Sequence, residues 1–112
     1  MSREYLISII TVVKNAETTI EKCIKSVLNQ NYKNIQYIII DGNSTDNTRK
    51  IIDKYKNKIS LIICEDDNGI WDAMNKGVKL AEGEILGFIN ADDIYYENSL
   101  KKENKYFVEE NI

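Results

Sequence analysis

Short apolar runs and helical stretches alternate along this chain. Tyr5–Val13, Ile35–Ile40 and Ile59–Cys64 are strand-length apolar runs, and a fourth lies within Glu84–Asp93, where it stops at the adjacent carboxylates Asp92 and Asp93. Between them the period lengthens. From Thr18 to Gln30, Ile20, Cys23, Ile24, Val27 and Leu28 fall at offsets 0, 3, 4, 7 and 8, one stripe of a helix. Thr18 with Glu21 reads as a capping box at its start. A second helix is predicted over Asp46–Tyr55, with Thr48, Ile51, Ile52 and Tyr55 inward, after the turn-forming Gly42-Asn43-Ser44. The third has Ile70, Ala73, Met74, Gly77, Val78 and Ala81 at offsets 0, 3, 4, 7, 8 and 11, with Gly83 placed to stop it. A fourth covers Ser99–Glu110, with Leu100, Phe107 and Val108 inward. Numbered in chain order, the elements run β1-α1-β2-α2-β3-α3-β4-α4.

Strands that alternate with helices imply right-handed crossovers and a parallel sheet. The fold class predicted is therefore α/β, a Rossmann-like parallel sheet of strand order 3-2-1-4 with helices on both faces. All strands then point one way, so their carboxyl ends share one edge, where open α/β sheets bind ligands. That edge gathers Asp41, Glu65 to Asp67 and the Asp92/Asp93 pair, with a crevice expected between Thr11 and Asp92.

No phosphate-loop or dinucleotide fingerprint is present, and the first βα turn, Val13-Lys14-Asn15-Ala16, has no glycine. A nucleotide held without a glycine cradle needs another counter-charge for its phosphates. A divalent cation on Asp92 or Asp93 would supply it, since hard ions take one or two carboxylates together with substrate phosphates. An acid pair after a strand can equally cap the next helix. Asp41 could accept hydrogen bonds from a base or a ribose, while Asn43 to Asp46 read as an Asx turn leading into a helix. In α3, Trp71, Asp72, Asn75 and Lys76 make an unusual surface face. Either Asp72 and Lys76 are an ordinary i, i+4 pair, or Lys76 lies near phosphates and Asp72 near sugar hydroxyls.

The 112 residues make one domain, and a composition 43% hydrophobic and 29% charged is that of a globular protein. With a net charge of -3 and interleaved signs, nucleic acid is not an expected partner. No apolar stretch reaches membrane-spanning length and no signal peptide opens the chain, so a cytoplasmic location is expected, with the inner face of the membrane as the alternative. The chain contains no histidine, which removes the usual zinc ligand and leaves carboxylate or lysine for proton transfer. Cys23 and Cys64 read as buried, reduced thiols.

Together the motifs resemble the amino-terminal, nucleotide-binding part of a family 2 glycosyltransferase of the GT-A fold, colanic-acid and polysaccharide-biosynthesis type. Ile7 to Asn15 resembles the first strand of that family, and Ile39 to Thr48 is similar to its DDGSTDGT segment. Gly83-Glu84 through Asn90-Ala91-Asp92-Asp93 resembles the metal-binding GEYIxFLDADD, and Glu65 to Gly77 an ExDxGIYDAMNKG segment. Asn90 departs from the first Asp of D-x-D, and Met74 stands where many members have arginine. The resemblance implies inverting transfer of a sugar from a nucleoside-diphosphate sugar, UDP-linked by expectation, to a saccharide or lipid-linked saccharide acceptor, with Mn²⁺ or Mg²⁺ as cofactor. It implies a substrate-binding set of Thr11, Val13, Asp41, Asp67, Asp72, Asn75, Lys76 and Asp92, with Asp92 and Asp93 at the metal. The catalytic base is expected beyond Ile112, so residues 1–112 are read as the donor-binding part of a longer domain. Apolar surface left uncovered would then favour self-association. Two rival readings stand beside it: a phosphoacceptor signalling domain, which would need an acid pair after β1 and a fifth strand, and a non-catalytic nucleotide-sugar or protein-binding module.

Overall fold

The computed structural model describes residues 3–110, with side chains as far as Lys105. Its elements are β1 (Ile7–Val13), α1 (Ile20–Leu28), β2 (Ile35–Asp41), α2 (Thr48–Asp53), β3 (Leu61–Cys64), α3 (Ile70–Leu80), β4 (Ile85–Phe88) and α4 (Ser99–Glu110). The four strands form one sheet in the expected order β3-β2-β1-β4, and every pair is parallel. Register aligns Val13 with Asp41 and Asp41 with Cys64, so three strands end level at the carboxyl edge.

Several boundaries differ from the periodicity. β1 begins at Ile7, because the carbonyl of Leu6 is taken by Glu84 and Ile85 and the N–H of Tyr5 by the Asn104 side chain. β3 begins at Leu61, because the Ser60 hydroxyl takes the Tyr37 N–H that would otherwise start the ladder. In β4 the pairing ends at Phe88. Ile89 makes one more bond, to Ile10, and the chain then turns, with Asp93 N–H closing on Asn90 at 3.0 Å. The capping box does not form: α1 starts at Ile20, and its N-cap Thr19 makes no side-chain cap bond. Glu21 turns instead to the segment just after α2, where the Tyr55 hydroxyl (2.7 Å) and the Lys54 ammonium (3.3 Å) hold its carboxyl below the usual range. Gly83 does not stop α3, which ends at Leu80 with Ala81 extended. Its role is close approach, since a Cβ there would lie 2.6 Å from the Ser8 nitrogen and 2.8 Å from the Leu6 carbonyl.

Alternating side chains divide the core between the two faces of the sheet. On one face Ile7, Ile9, Tyr37 and Ile39 pack with Ile20, Cys23, Ile24 and Val27 of α1, Ile52 of α2 and Leu100 of α4. On the other, Ile10, Ile38 and Ile40 meet α3 through Ala73. The stripe predicted for α3 is only partly inward: Ala73 and Gly77 are buried, whereas Ile70 and Val78 are exposed. The reason is close contact through small residues, because Gly77 sits directly on Ile10, where a Cβ would meet its Cγ2 at 2.5 Å. α3 thus covers β1 and β2 and leaves Leu86 (43%) and Phe88 (44%) of β4 exposed on that same face. Phe107 and Val108, expected inward on α4, lie outside the residues whose side chains are described.

Both cysteines are free; Cys23 is buried, but Cys64, at the end of the short β3, is only half-buried. Tyr95 and the carboxylate of Glu103 both lie over Gly87. Burial pushes the Glu103 carboxyl above its ordinary value. A carboxyl raised in the folded state costs stability above its folded pKa, and the cost vanishes below its unfolded pKa, near 4.3. Glu103→Gln should therefore raise the melting temperature at pH 7 by about 1–3 °C, with the difference disappearing toward pH 4 in parallel thermal melts.

Candidate functional site

The carboxyl end of β1 is where the chain opens. Val12, Val13, Lys14 and Ile70 are common to two adjoining cavities, of about 300 and 390 Å³. Asp67, Gly69 and Ala73 complete the first, while Thr18, Thr19, Asn90 and Asp92 are among the walls of the second. These are two lobes of one cleft that flanks the end of the central strand. A further cavity of about 340 Å³ lies at the opposite, amino-terminal end of the sheet, against Glu4, Tyr32 and lysines of α4. It has none of the strand-end carboxylates, which makes the cleft the candidate site.

The loops around the cleft are knitted together by Asn15, whose backbone is left-handed with φ 51°. Its side-chain oxygen accepts from the Thr45 N–H (2.7 Å) and the Asp46 N–H (3.3 Å), and its own N–H donates to the Ser44 hydroxyl (2.9 Å). Ser44 in turn donates from both N–H (3.0 Å) and hydroxyl (2.6 Å) to Asp41 Oδ1. The Cys64 thiol faces Asp41 Oδ2 at 3.8 Å. Asp41 is fully buried with its carboxylate bonded to Ser44, and the Asx turn expected within Asn43 to Asp46 forms at Asp46, whose Oδ1 accepts from the Thr48 N–H at 2.9 Å. Asp67 accepts from the Gly69 N–H at 3.1 Å and packs so closely on Gly42 that a Cβ there would be 2.7 Å from its Oδ2. Its carboxylate is thereby held in the wall of the first lobe.

Of the substrate-binding residues expected from the sequence, Val13, Asp67 and Asp92 line the cleft. Thr11 is buried, with its hydroxyl turned to Tyr37 and Cys23. Asp72 accepts from the Asn68 N–H at 3.0 Å, and this bond foremost, with Lys76 nearby, holds its carboxyl below the usual range. Lys76 bridges Glu65 (3.0 Å) and Asp72 (3.5 Å) and donates to the Asp66 carbonyl. Asn75 is exposed on α3, and Asp92 and Asp93 are exposed at their turn. The acids expected to converge share the edge but form no cluster: among the described residues no group of three or more acid, histidine or cysteine side chains could hold a metal. Asp41 is sealed in its turn, and Asp67 and Asp92 sit in separate lobes.

Lys14 and Asn15 were not singled out from sequence. Lys14 lines both lobes, and among the described residues it forms no ion pair. Its signal was position alone, a cation immediately after the central strand. If the cleft takes the nucleoside diphosphate that the sequence resemblance implies, Lys14→Ala should weaken its binding by about 10- to 100-fold, the scale of one charge-assisted hydrogen bond, and Lys76→Ala should weaken it less, as read by titration of each variant.

A parallel 3-2-1-4 sheet with a cleft over β1 and carboxylates on both of its flanks is the architecture of a Rossmann-like α/β domain of the GT-A type. Residues 8–112 match the model of Glycosyl transferase family 2, and the chain belongs to that family. It is 37% identical over 110 residues to the Escherichia coli UDP-Glc:alpha-D-GlcNAc-diphosphoundecaprenol beta-1,3-glucosyltransferase WfgD, a match covering 97% of this chain and 44% of that protein. Staphylococcus aureus TarS 1-349 in complex with UDP-GlcNAc superimposes with a TM-score of 0.83 at 29% identity, over 93% of this chain and 31% of that one. The mannosyltransferase PcManGT of Pyrobaculum calidifontis, in complex with GDP-Man and Mn²⁺, shares the fold, with a TM-score of 0.80 at 22% identity over 88% and 31% of the two chains. The chain thus spans less than half the length of the curated relatives it matches. Family membership removes the phosphoacceptor rival, whose acid pair after β1 is replaced here by Lys14 and Asn15.

Proposed function

We propose that residues 1–112 are the donor-nucleotide part of an inverting glycosyltransferase of polysaccharide biosynthesis, with the acceptor site and the catalytic base beyond Ile112. The observation that carries this assignment is the two-lobed cleft over β1, with Asp67 in one wall, Asp92 in the other and Lys14 common to both. WfgD is named for a UDP-linked donor and a diphosphoundecaprenol-linked acceptor, and the TarS complex holds UDP-GlcNAc. A UDP-sugar donor and a saccharide or lipid-linked saccharide acceptor follow by likeness.

The donor set also suits a hard divalent ion, Mn²⁺ or Mg²⁺. Two adjacent carboxylates without histidine or thiol cannot enclose a metal, but they suit an ion that completes its shell with diphosphate oxygens and water. When bound, such an ion would act as a Lewis acid toward the departing diphosphate. The chain's own part is to hold that group: Asp92 and Asp93 present oxygen ligands, Lys14 offers a charge-assisted hydrogen bond, and Asp67 stands ready to accept from a hydroxyl or a base N–H. A hydroxyl of the acceptor then attacks the anomeric carbon from the side opposite the diphosphate, which inverts the centre. Among the described residues no helix is long and apolar enough to cross a membrane. A lipid-linked acceptor would place the domain at a membrane surface, and a nucleoside-diphosphate-sugar donor would place it on the cytoplasmic side. The apolar face left by α3, with Leu86 and Phe88 of β4, would meet the rest of the catalytic domain, or a second copy where that is missing.

Mapping UDP and Mg²⁺ by amide chemical shifts tests the location. Changes should concentrate at Val12–Asn15, Asp67–Ile70 and Asn90–Asp93. Changes centred on Tyr32 and Asn104 would move the site to the other end of the sheet and refute the assignment.

A further inference from the structure

Beneath the turn that carries Asp92 and Asp93 lies a buried polar chain that the donor site itself does not use. The turn closes on the Asn90 carbonyl, which accepts from the Asp93 N–H at 3.0 Å. That same oxygen accepts from the Cys23 thiol of α1 at 3.4 Å. Behind the thiol, Thr11 Oγ1 lies 3.9 Å from Cys23 Sγ and 3.0 Å from the Tyr37 hydroxyl. All three side chains belong to fully buried residues.

The direction of this chain follows from what each group can do. A carbonyl oxygen only accepts, so the thiol proton points at Asn90. The sulfur is then open to the Thr11 hydroxyl proton, and the Thr11 oxygen to that of Tyr37. Burial pushes both the Cys23 thiol and the Tyr37 phenol up, so each keeps its proton at neutral pH. No buried side-chain nitrogen or oxygen among the described residues lacks a partner. A satisfied polar chain inside an apolar layer contributes little net stability compared with well-packed hydrocarbon, but it fixes geometry.

We infer that the Tyr37–Thr11–Cys23 chain is a positioning device for the Asn90–Asp93 turn. The Asn90 carbonyl has two lone pairs: one closes the turn through Asp93, and the other ties it to α1 through Cys23. Without the thiol the turn keeps only its Asp93 bond, opens more often and rocks against α1, and Asp92 and Asp93 no longer hold one placement toward a metal–diphosphate. The metal-facing consequence rests on the donor-site assignment above; the tie itself does not.

Two substitutions separate position from packing. Cys23→Val fills the space and removes the donor, whereas Cys23→Ser keeps a donor and loses volume. The valine variant should melt at or above the serine variant. Even so, its Mn²⁺-supported UDP affinity should fall about five- to tenfold, the loss of one hydrogen bond, while that of Cys23→Ser stays within about twofold of the unsubstituted chain. Hydrogen exchange at the Asp93 amide reads the tie with no ligand present. Protection should drop about tenfold in Cys23→Val and be largely retained in Cys23→Ser. If affinity and Asp93 protection simply follow melting temperature, or if Cys23→Val matches the unsubstituted chain in both, Cys23 is packing and the inference is wrong. If the unsubstituted chain binds no nucleoside diphosphate with Mn²⁺, the donor-site assignment falls, and the exchange measurement alone decides the tie.

Discussion

Asp92→Asn combined with Asp93→Asn is expected to abolish the metal-dependent part of nucleotide binding. Both carboxylates are exposed on a turn closed by the Asp93 N–H, beside a lobe that Asp92 lines. Their hydrogen-bond roles within the fold are few, because the turn is built from backbone groups, so the double variant should melt close to the unsubstituted chain. A charge-assisted contact is worth about 1.5–3 kcal/mol, so each single substitution should weaken UDP binding in Mn²⁺ by about 10- to 100-fold. Binding in excess chelator should change little. Which single variant loses more identifies the principal ligand, a point that Asn90 in place of the usual first aspartate leaves open. Unchanged affinity in the double variant would return the acid pair to a structural role.

Gly83→Ala is the substitution expected to cost the most stability. An alanine methyl would lie 2.6 Å from the Ser8 nitrogen, 2.6 Å from its hydroxyl and 2.8 Å from the Leu6 carbonyl, and two of these are backbone atoms that cannot swing aside. The loop is sewn down there as well, with the Gly83 N–H donating to Ser8 Oγ and both Ser8 and Glu82 bonded to Gln36 Oε1. Forcing the loop away loses those bonds and strains the start of β1 against β4. The cost should reach about 3 kcal/mol or more, at the upper end of overpacking, with a fall in melting temperature of about 10 °C or more. Gly77→Ala should cost less. Its clash is with a side-chain methyl of Ile10, and a helix gains about 1 kcal/mol in propensity from alanine. Equal melting temperatures for the two variants would show that the loop is looser than described.

The strand order was legible because the evidence for it is local. Each apolar run is short, each is separated from the next by a helical stripe, and parallel crossovers leave few topologies. Side-chain fate was less legible wherever a partner decides it. The spacing of Ile70 and Val78 matches Ala73 and Gly77, but only packing shows that two small residues bring α3 onto Ile10 and leave the larger ones outside. Thr18 and Glu21 have capping-box chemistry, yet Tyr55 and Lys54, more than thirty residues away in sequence, are better partners for Glu21. The carboxylates were correctly assigned to one edge, but not their distribution along it, because Asp41 satisfies itself through Ser44 within its own loop. Lys76 drew notice as half of an i, i+4 pair, whereas its shortest ionic contact, to Glu65 at 3.0 Å, exists only in the folded chain. Lys14 carried no pattern at all, and its place at the mouth of the cleft is set by the register of β1.

The central claim, a metal-assisted donor-nucleotide site at the carboxyl edge of the sheet, is tested most directly by calorimetric titration of the chain with UDP, GDP and ADP, in Mn²⁺ and then in excess chelator. The account predicts binding of UDP in preference to the other two, with most of the affinity lost on chelation. Equal binding with and without metal, or no binding of any diphosphate, would contradict it.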